Sequence, residues 1–176
     1  VSESADVRAV LLTGTIGSGK TALAIELGDV LGATGAGVAV MDLDWLGWFH
    51  PPAGSRVRPT DLIVRNLAAI WPNLRAEGAR YLVLARMVQE AAEIDAIKGA
   101  LPDATLTVVR VIAPPAVIEA RLRKRDTGAE LAGHLDEFAG LDGALDELQI
   151  DDLRIANEDA PIRYVAAELL GRLRWT

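Results

Sequence analysis

Gly14-Thr15-Ile16-Gly17-Ser18-Gly19-Lys20-Thr21 meets the pattern G-x-x-x-x-G-K-[ST] at every fixed position. Each residue type has a task in such a run. Glycines let the backbone curl so that successive N–H groups aim at phosphate oxygens. The helix beginning beyond them adds partial positive charge at its N-terminus. A lysine placed like Lys20 reaches the β- and γ-phosphates, and a hydroxyl placed like that of Thr21 ligates Mg²⁺. The run therefore predicts nucleoside triphosphate binding by residues 14–21. The competing reading is a glycine-rich turn without chemistry. The apolar strand before the run and the apolar-periodic helix after it argue against that reading.

A second constellation lies downstream. Val38-Ala39-Val40-Met41-Asp42 is an apolar strand ending on an acid, and Asp44 follows two residues later. In an open α/β sheet, ligands sit at the carboxyl ends of strands, which puts Asp42 in the crevice of the phosphate loop. The third apolar run, Tyr81-Leu82-Val83-Leu84-Ala85, ends without an acid, so Asp42 is the candidate for holding Mg²⁺ through water. Arg121 and Arg125 are four apart on a predicted helix and share one face. Guanidinium groups there stabilise charge on a transferring phosphoryl group; a solvated basic helix end is the plain alternative. Neither Asn-Lys-x-Asp nor Thr-Lys-x-Asp, the guanine-reading segments, occurs in the chain. There is no room for the helical lid domain of an AAA-type machine. The small ATP-using P-loop kinases remain.

These residues resemble the small-molecule kinases of the shikimate, gluconate and adenylylsulfate type, and chloramphenicol phosphotransferase. The resemblance is sharp at residues 14–21, 42–44 and 121–125. It implies a P-loop kinase-type three-layer α/β/α sandwich with a five-stranded parallel sheet and a small lid. It also implies Mg²⁺-dependent transfer of the ATP γ-phosphoryl group to a small-molecule acceptor, through a hydroxyl. By resemblance, Asp42 stands near Mg²⁺, Asp44 holds or deprotonates the acceptor, and Arg121 and Arg125 meet the nucleotide phosphates. Lys20, Asp42, Asp44 and Arg125 then form the catalytic set. Residues 157–161 would lie against adenine, although Asn157 equally suits a capping or turn position. Closure of a lid-like excursion, about residues 126–148, would exclude water from the transfer. The chain departs from the named kinases after Asp44: it lacks an Arg-rich adenylylsulfate signature and a glycine triplet after the third strand. A partner-driving ATPase and a non-catalytic ATP-sensing module are the rival readings.

The acceptor has fewer candidates. Trp45, Trp48 and Phe49 would form one wall of an acceptor pocket, or else fold back onto the core. Arg86, directly after the third strand, is a better candidate for an anionic acceptor than Arg56 or Arg58. His50 and His134 lack metal-ligand spacing and read as structural or solvated.

Elements must bring these side chains together. Apolar runs at 9–12, 37–41, 81–85, 106–112 and 153–156 predict five strands. Helical patterns at 21–31, 60–70, 87–101, 117–125 and 161–173 alternate with them, which predicts an α/β domain with a parallel sheet. Residues 45–59 read as a loop, Trp71-Pro72 as a break or kink in the helix, and 126–152 as a mobile polar excursion with its own helices. Residues 1–8 read as a frayed start. A length of 176 residues suits one domain over 1–176. A net charge of -7 argues against nucleic acid as a partner. The absence of Cys removes thiolate chemistry. No apolar run approaches the roughly 20 residues that span a bilayer, and no signal-peptide pattern opens the chain. The expectation is a cytoplasmic monomer or homodimer that does not engage membranes.

Overall fold

Five short apolar runs build the sheet. In the computed structural model, which describes residues 7–158 and 160–175, the strands are β1 (Val7–Thr13), β2 (Val38–Asp42), β3 (Tyr81–Ala85), β4 (Ala104–Ile112) and β5 (Leu153–Ala156). All pair in parallel, in the order β2-β3-β1-β4-β5. The expectations for residues 1–6 and for Asp159 lie outside the described residues. Val7 and Arg8, expected in a frayed start, instead open β1, with Val7 fully buried.

The strands are apolar on both faces because both faces are covered. Ala9 and Leu11 of β1, with Leu82 and Leu84 of β3, pack against α2 (Leu43–Leu46), α3 (Pro59–Ala76) and α4 (Ala91–Ala100). Val10, Leu12 and Val83 face the other way, onto α1 (Lys20–Ala33) and α7 (Ile162–Leu173). Two helices, α5 (Pro115–Arg125) and α6 (Gly128–Leu148), connect β4 to β5. Pro59 and Pro115 each sit in a first helical turn, where the missing amide hydrogen costs nothing.

Four expectations are corrected. Residues 45–59 are not wholly a loop, because Asp42 caps α2 by accepting from Asp44 N at 3.1 Å, which turns Asp44 and Trp45 into a short helix. Of the break or kink expected at Trp71-Pro72, the break does not occur: the helix over 60–70 runs on to Ala76. A mid-helix proline costs about 3 kcal/mol. Opposing that cost, Trp71 is buried beside Leu67, and its Nε1 donates to Asp103 Oδ1 at 3.0 Å. The helix expected over 87–101 begins only at Ala91, because Val88 N donates to Thr13 Oγ1 at 3.1 Å and ties the preceding segment across the sheet. The polar excursion is one 21-residue helix, α6, rather than several. Leu145 alone is buried among the described side chains of α6, so charge holds it at both ends. Asp146 accepts from Arg110 at 2.6 Å and from Arg154 at 3.0 Å. The Arg110 charge beside it lowers the Asp146 pKa.

Strand register aligns the carboxyl ends. Ala85 pairs with both Leu12 and Asp42, so the ends of β1, β2 and β3 stand level. The chain leaves β1 toward β2 and later returns to β4 on the other side of β1. The crevice at that reversal is where ligands of open α/β sheets bind.

Candidate active site

The loop after β1 is shaped by two close approaches. Gly14 has φ +139, and a Cβ there would stand 2.4 Å from the Val111 carbonyl oxygen of β4. Gly19 has φ +95, and a Cβ there would meet Asn157 Nδ2 at 2.2 Å. Only glycine satisfies both conformation and space at these positions. Asn157 is buried, and its Nδ2 donates to Ser18 O at 2.8 Å. Arg121 braces the same loop, donating weakly to Gly17 O and Ser18 O and, at 3.0 and 2.7 Å, to the Asn157 and Glu158 carbonyls. Loop, α5 and the segment after β5 are thus tied into one rim.

Lys20 opens α1 and folds over this loop. Its Nζ donates to Gly14 O at 3.0 Å and Thr15 O at 2.9 Å. Burial lowers its pKa to about 8, although the negative charges of Asp44 and Asp42 pull the other way. Thr21 Oγ1 donates to Asp42 Oδ2 at 2.8 Å, which joins the start of α1 to the end of β2. Asp44 Oδ1 accepts from Arg86 Nη1, and Arg86 Nε donates to Glu93 Oε1. Arg86 and Glu93 are largely buried, whereas Asp44 is open to solvent.

These side chains face one cavity of about 460 Å³. Ile16, Gly17, Gly19, Lys20, Thr21, Asp42, Asp44, Arg86, Arg121 and Arg125 line it. Among the other predicted site residues, Gly14, Thr15 and Ser18 are buried within the loop, and Asn157 lies behind it. Trp45 and Trp48 stand elsewhere. Their rings stack with centroids 4.8 Å apart, both two-thirds exposed, on a separate groove of about 450 Å³ shared with Phe49 and Val57. They neither close the cavity nor fold onto the core.

Arg125 reaches the cavity wall but points its fork at a carboxylate. Its Nε and Nη2 donate to the Asp126 oxygens at 2.6 and 2.9 Å. His134 Nδ1 lies 2.8 Å from Asp126 Oδ2. The hydrogen bond from Arg125, reinforced by His134, holds Asp126 at a pKa of about 2, well below the usual carboxylate range. Sequence reasoning missed this latch, although the i, i+8 spacing of Asp126 and His134 across a helix start was visible. It also missed Glu93, for which no signal existed: an acid in a first helical turn reads as a solvated dipole partner.

The donor chemistry suits the groups the sequence implied. Thr21 Oγ1 and Asp42 Oδ2 are adjacent hard oxygens at the cavity edge, a pairing appropriate to Mg²⁺. The positive-φ glycines, at which a Cβ would strike Val111 O, Ile118 or Asn157, allow the backbone to curl into a cradle.

Neither a protein-family model nor a curated protein sequence matches the chain. Solved structures do. The unliganded sugar kinase from Janibacter sp. HTCC2649 aligns over 96% of this chain and 95% of its own, at 23% identity and a TM-score of 0.62. The shikimate kinase of Bacteroides thetaiotaomicron covers 96% of this chain and 98% of its own, at 21% identity and a TM-score of 0.63. The APS kinase of Mycobacterium tuberculosis, solved with AMPPNP and APS, covers 97% and 99%, at 21% identity and a TM-score of 0.61. This chain has the fold of the P-loop small-molecule kinases. Among the described residues, no helix is long and apolar enough to cross a membrane.

Proposed function

We propose that the protein transfers the γ-phosphoryl group of ATP, with Mg²⁺, to a hydroxyl of a small-molecule acceptor. One observation carries this reading: Lys20, the Thr21–Asp42 pair and Asp44 face the same cavity over a glycine cradle. The acceptor oxygen forms a bond to Pγ while the bond to the β-phosphate oxygen breaks, and ADP leaves. Lys20 and Arg125 neutralise charge on the phosphoryl oxygens. For this, Arg125 exchanges Asp126 for phosphate. Thr21 and Asp42 would hold Mg²⁺, which supplies charge neutralisation across the phosphates when bound. Asp44 orients the acceptor hydroxyl and accepts its proton or hydrogen bond. Tethered to Arg86, it is positioned before the acceptor arrives.

The test is ADP release from Mg-ATP across a panel of small hydroxylated acceptors, with Lys20→Ala as the blank. Acceptor-dependent release that the blank lacks is expected. A flat panel over a low Lys20-dependent background would instead mark a slow ATPase.

The lowered pKa of Lys20 gives a separate expectation. A bound triphosphate raises that pKa again, so binding takes up a proton wherever free Lys20 is neutral. Nucleotide affinity should be level below about pH 7. Above pH 8, near the pKa of Lys20 in the free protein, it should fall by up to roughly tenfold per unit. Fluorescence titration against pH measures this. Lys20→Arg, whose charge persists, should flatten the decline; an equal decline in that variant would assign the effect to another group.

A further inference from the structure

Arg86 lines two cavities at once. One is the phosphate-loop cavity; the other is a smaller one of about 250 Å³ whose wall includes Arg58, Thr60, Asp61, Gln89, Glu90 and Glu93. The smaller cavity thus meets the larger at Arg86, whose Nη1 holds Asp44, where the proposed function places the acceptor oxygen. Its volume lies below the roughly 300–1,000 Å³ of pockets for drug-sized ligands, and suits a single ring or a short polyol.

The charges in this cavity are unevenly matched. Arg86, the candidate receptor for an anionic acceptor, has its guanidinium engaged by Asp44 through Nη1 and by Glu93 through Nε. Its Nη2 stands 3.5 Å from Thr60 Oγ1. An anion that claimed Arg86 would leave Glu93, 7% exposed, as a buried carboxylate without its partner. In this lining two guanidiniums, Arg86 and Arg58, thus face three carboxylates: Glu93, Asp61 and Glu90. With Arg86 held by Glu93, Arg58 alone stands against Asp61 and Glu90, and this net negative charge is exposed to whatever enters.

We infer that the acceptor is a small polyhydroxylated molecule carrying a protonated amine, seated in this second cavity with its ammonium group toward Asp61 and Glu90. The inference rests on the kinase reading and names its substrate class. Arg86 is then a positioning residue for Asp44 and not an anion receptor. Glu93 keeps it so by occupying the guanidinium edge that an acceptor carboxylate would need.

The experiment compares matched sets of small polyols and monosaccharides, each in amine, neutral and carboxylate form. ADP release is corrected with Lys20→Ala, and the phosphorylated product is weighed by mass spectrometry. The amine form should exceed its neutral counterpart by about tenfold in kcat/KM, a contribution the size of two exposed ion pairs. The carboxylate form should be the poorest of the three. In Asp61→Asn combined with Glu90→Gln, the amine-to-neutral ratio should fall to near one. That ratio is read within one protein, so an overall loss of stability does not disguise it. Turnover led by the carboxylate form, or equal for all three, overturns the inference and leaves the kinase reading standing. A ratio unmoved by the double variant also overturns it. No turnover of any form in any set removes the kinase reading and the inference with it.

Discussion

Lys20→Ala is expected to lower acceptor phosphorylation by at least about 1,000-fold, since a cation on the transferring phosphoryl group acts where charge spreads in the transition state. The fold should survive, and the reason is specific. The pKa of Lys20 stands near 8 instead of 10.5 because burial disfavours its charged form. At neutral pH that depression is a destabilisation on the order of 3 kcal/mol in the native state. Removing the side chain relieves it and forfeits two hydrogen bonds, to Gly14 O and Thr15 O, each worth about 1 kcal/mol. The variant should therefore melt no lower than the parent at pH 7. The sign can be followed with pH. Between about 8 and 10.5 the unfolded chain binds more protons, so the parent gains stability as pH rises through that window. Lys20→Ala should lack this rise. Thermal melts from pH 7 to 10, beside turnover at pH 7, measure both halves. A variant that keeps normal turnover ends the phosphate-loop assignment, and one that unfolds ends the energetic account.

The fold was largely legible because its signals are local. A continuous apolar run marks a strand covered on both faces, and the five residues Tyr81–Ala85 fall where that pattern puts them. The phosphate loop was legible because its glycines answer steric demands, such as the approach of Gly14 to Val111, that leave no other residue possible. What could not be read depends on partners distant in sequence. Arg86 looks like a free cation until Glu93 and Asp44 are found on it. Trp45 and Trp48 look like a pocket wall until α2 turns them onto another groove. Pro72 looks like a helix end, yet α3 runs through it, and the neighbouring Trp71 finds a partner in Asp103, 32 residues away. A sequence records the residues of an ion pair but not the pairing.

Asp44→Asn separates positioning from charge, and its expected effect is nearly as large. The amide keeps the shape of the carboxylate, and its oxygen can still accept from Arg86 Nη1, so the side chain should stay where the tether puts it. Its negative charge and its ability to take a proton are lost. General-base groups contribute about 100- to 10,000-fold, and kcat should fall within that range. Nucleotide affinity should not fall. With Asp44 neutral, Arg86 is opposed by Glu93 alone, and the cavity becomes more positive toward an incoming triphosphate. ATP should bind as tightly as in the parent, or a few-fold tighter. Lys20→Ala predicts the opposite pattern, since it weakens binding and turnover together. Steady-state turnover at saturating acceptor, set beside the dissociation constant for ATP, discriminates the two. A rate for Asp44→Asn within about threefold of the parent would remove Asp44 from the transfer step. Weakened ATP binding would place it on the nucleotide instead of the acceptor.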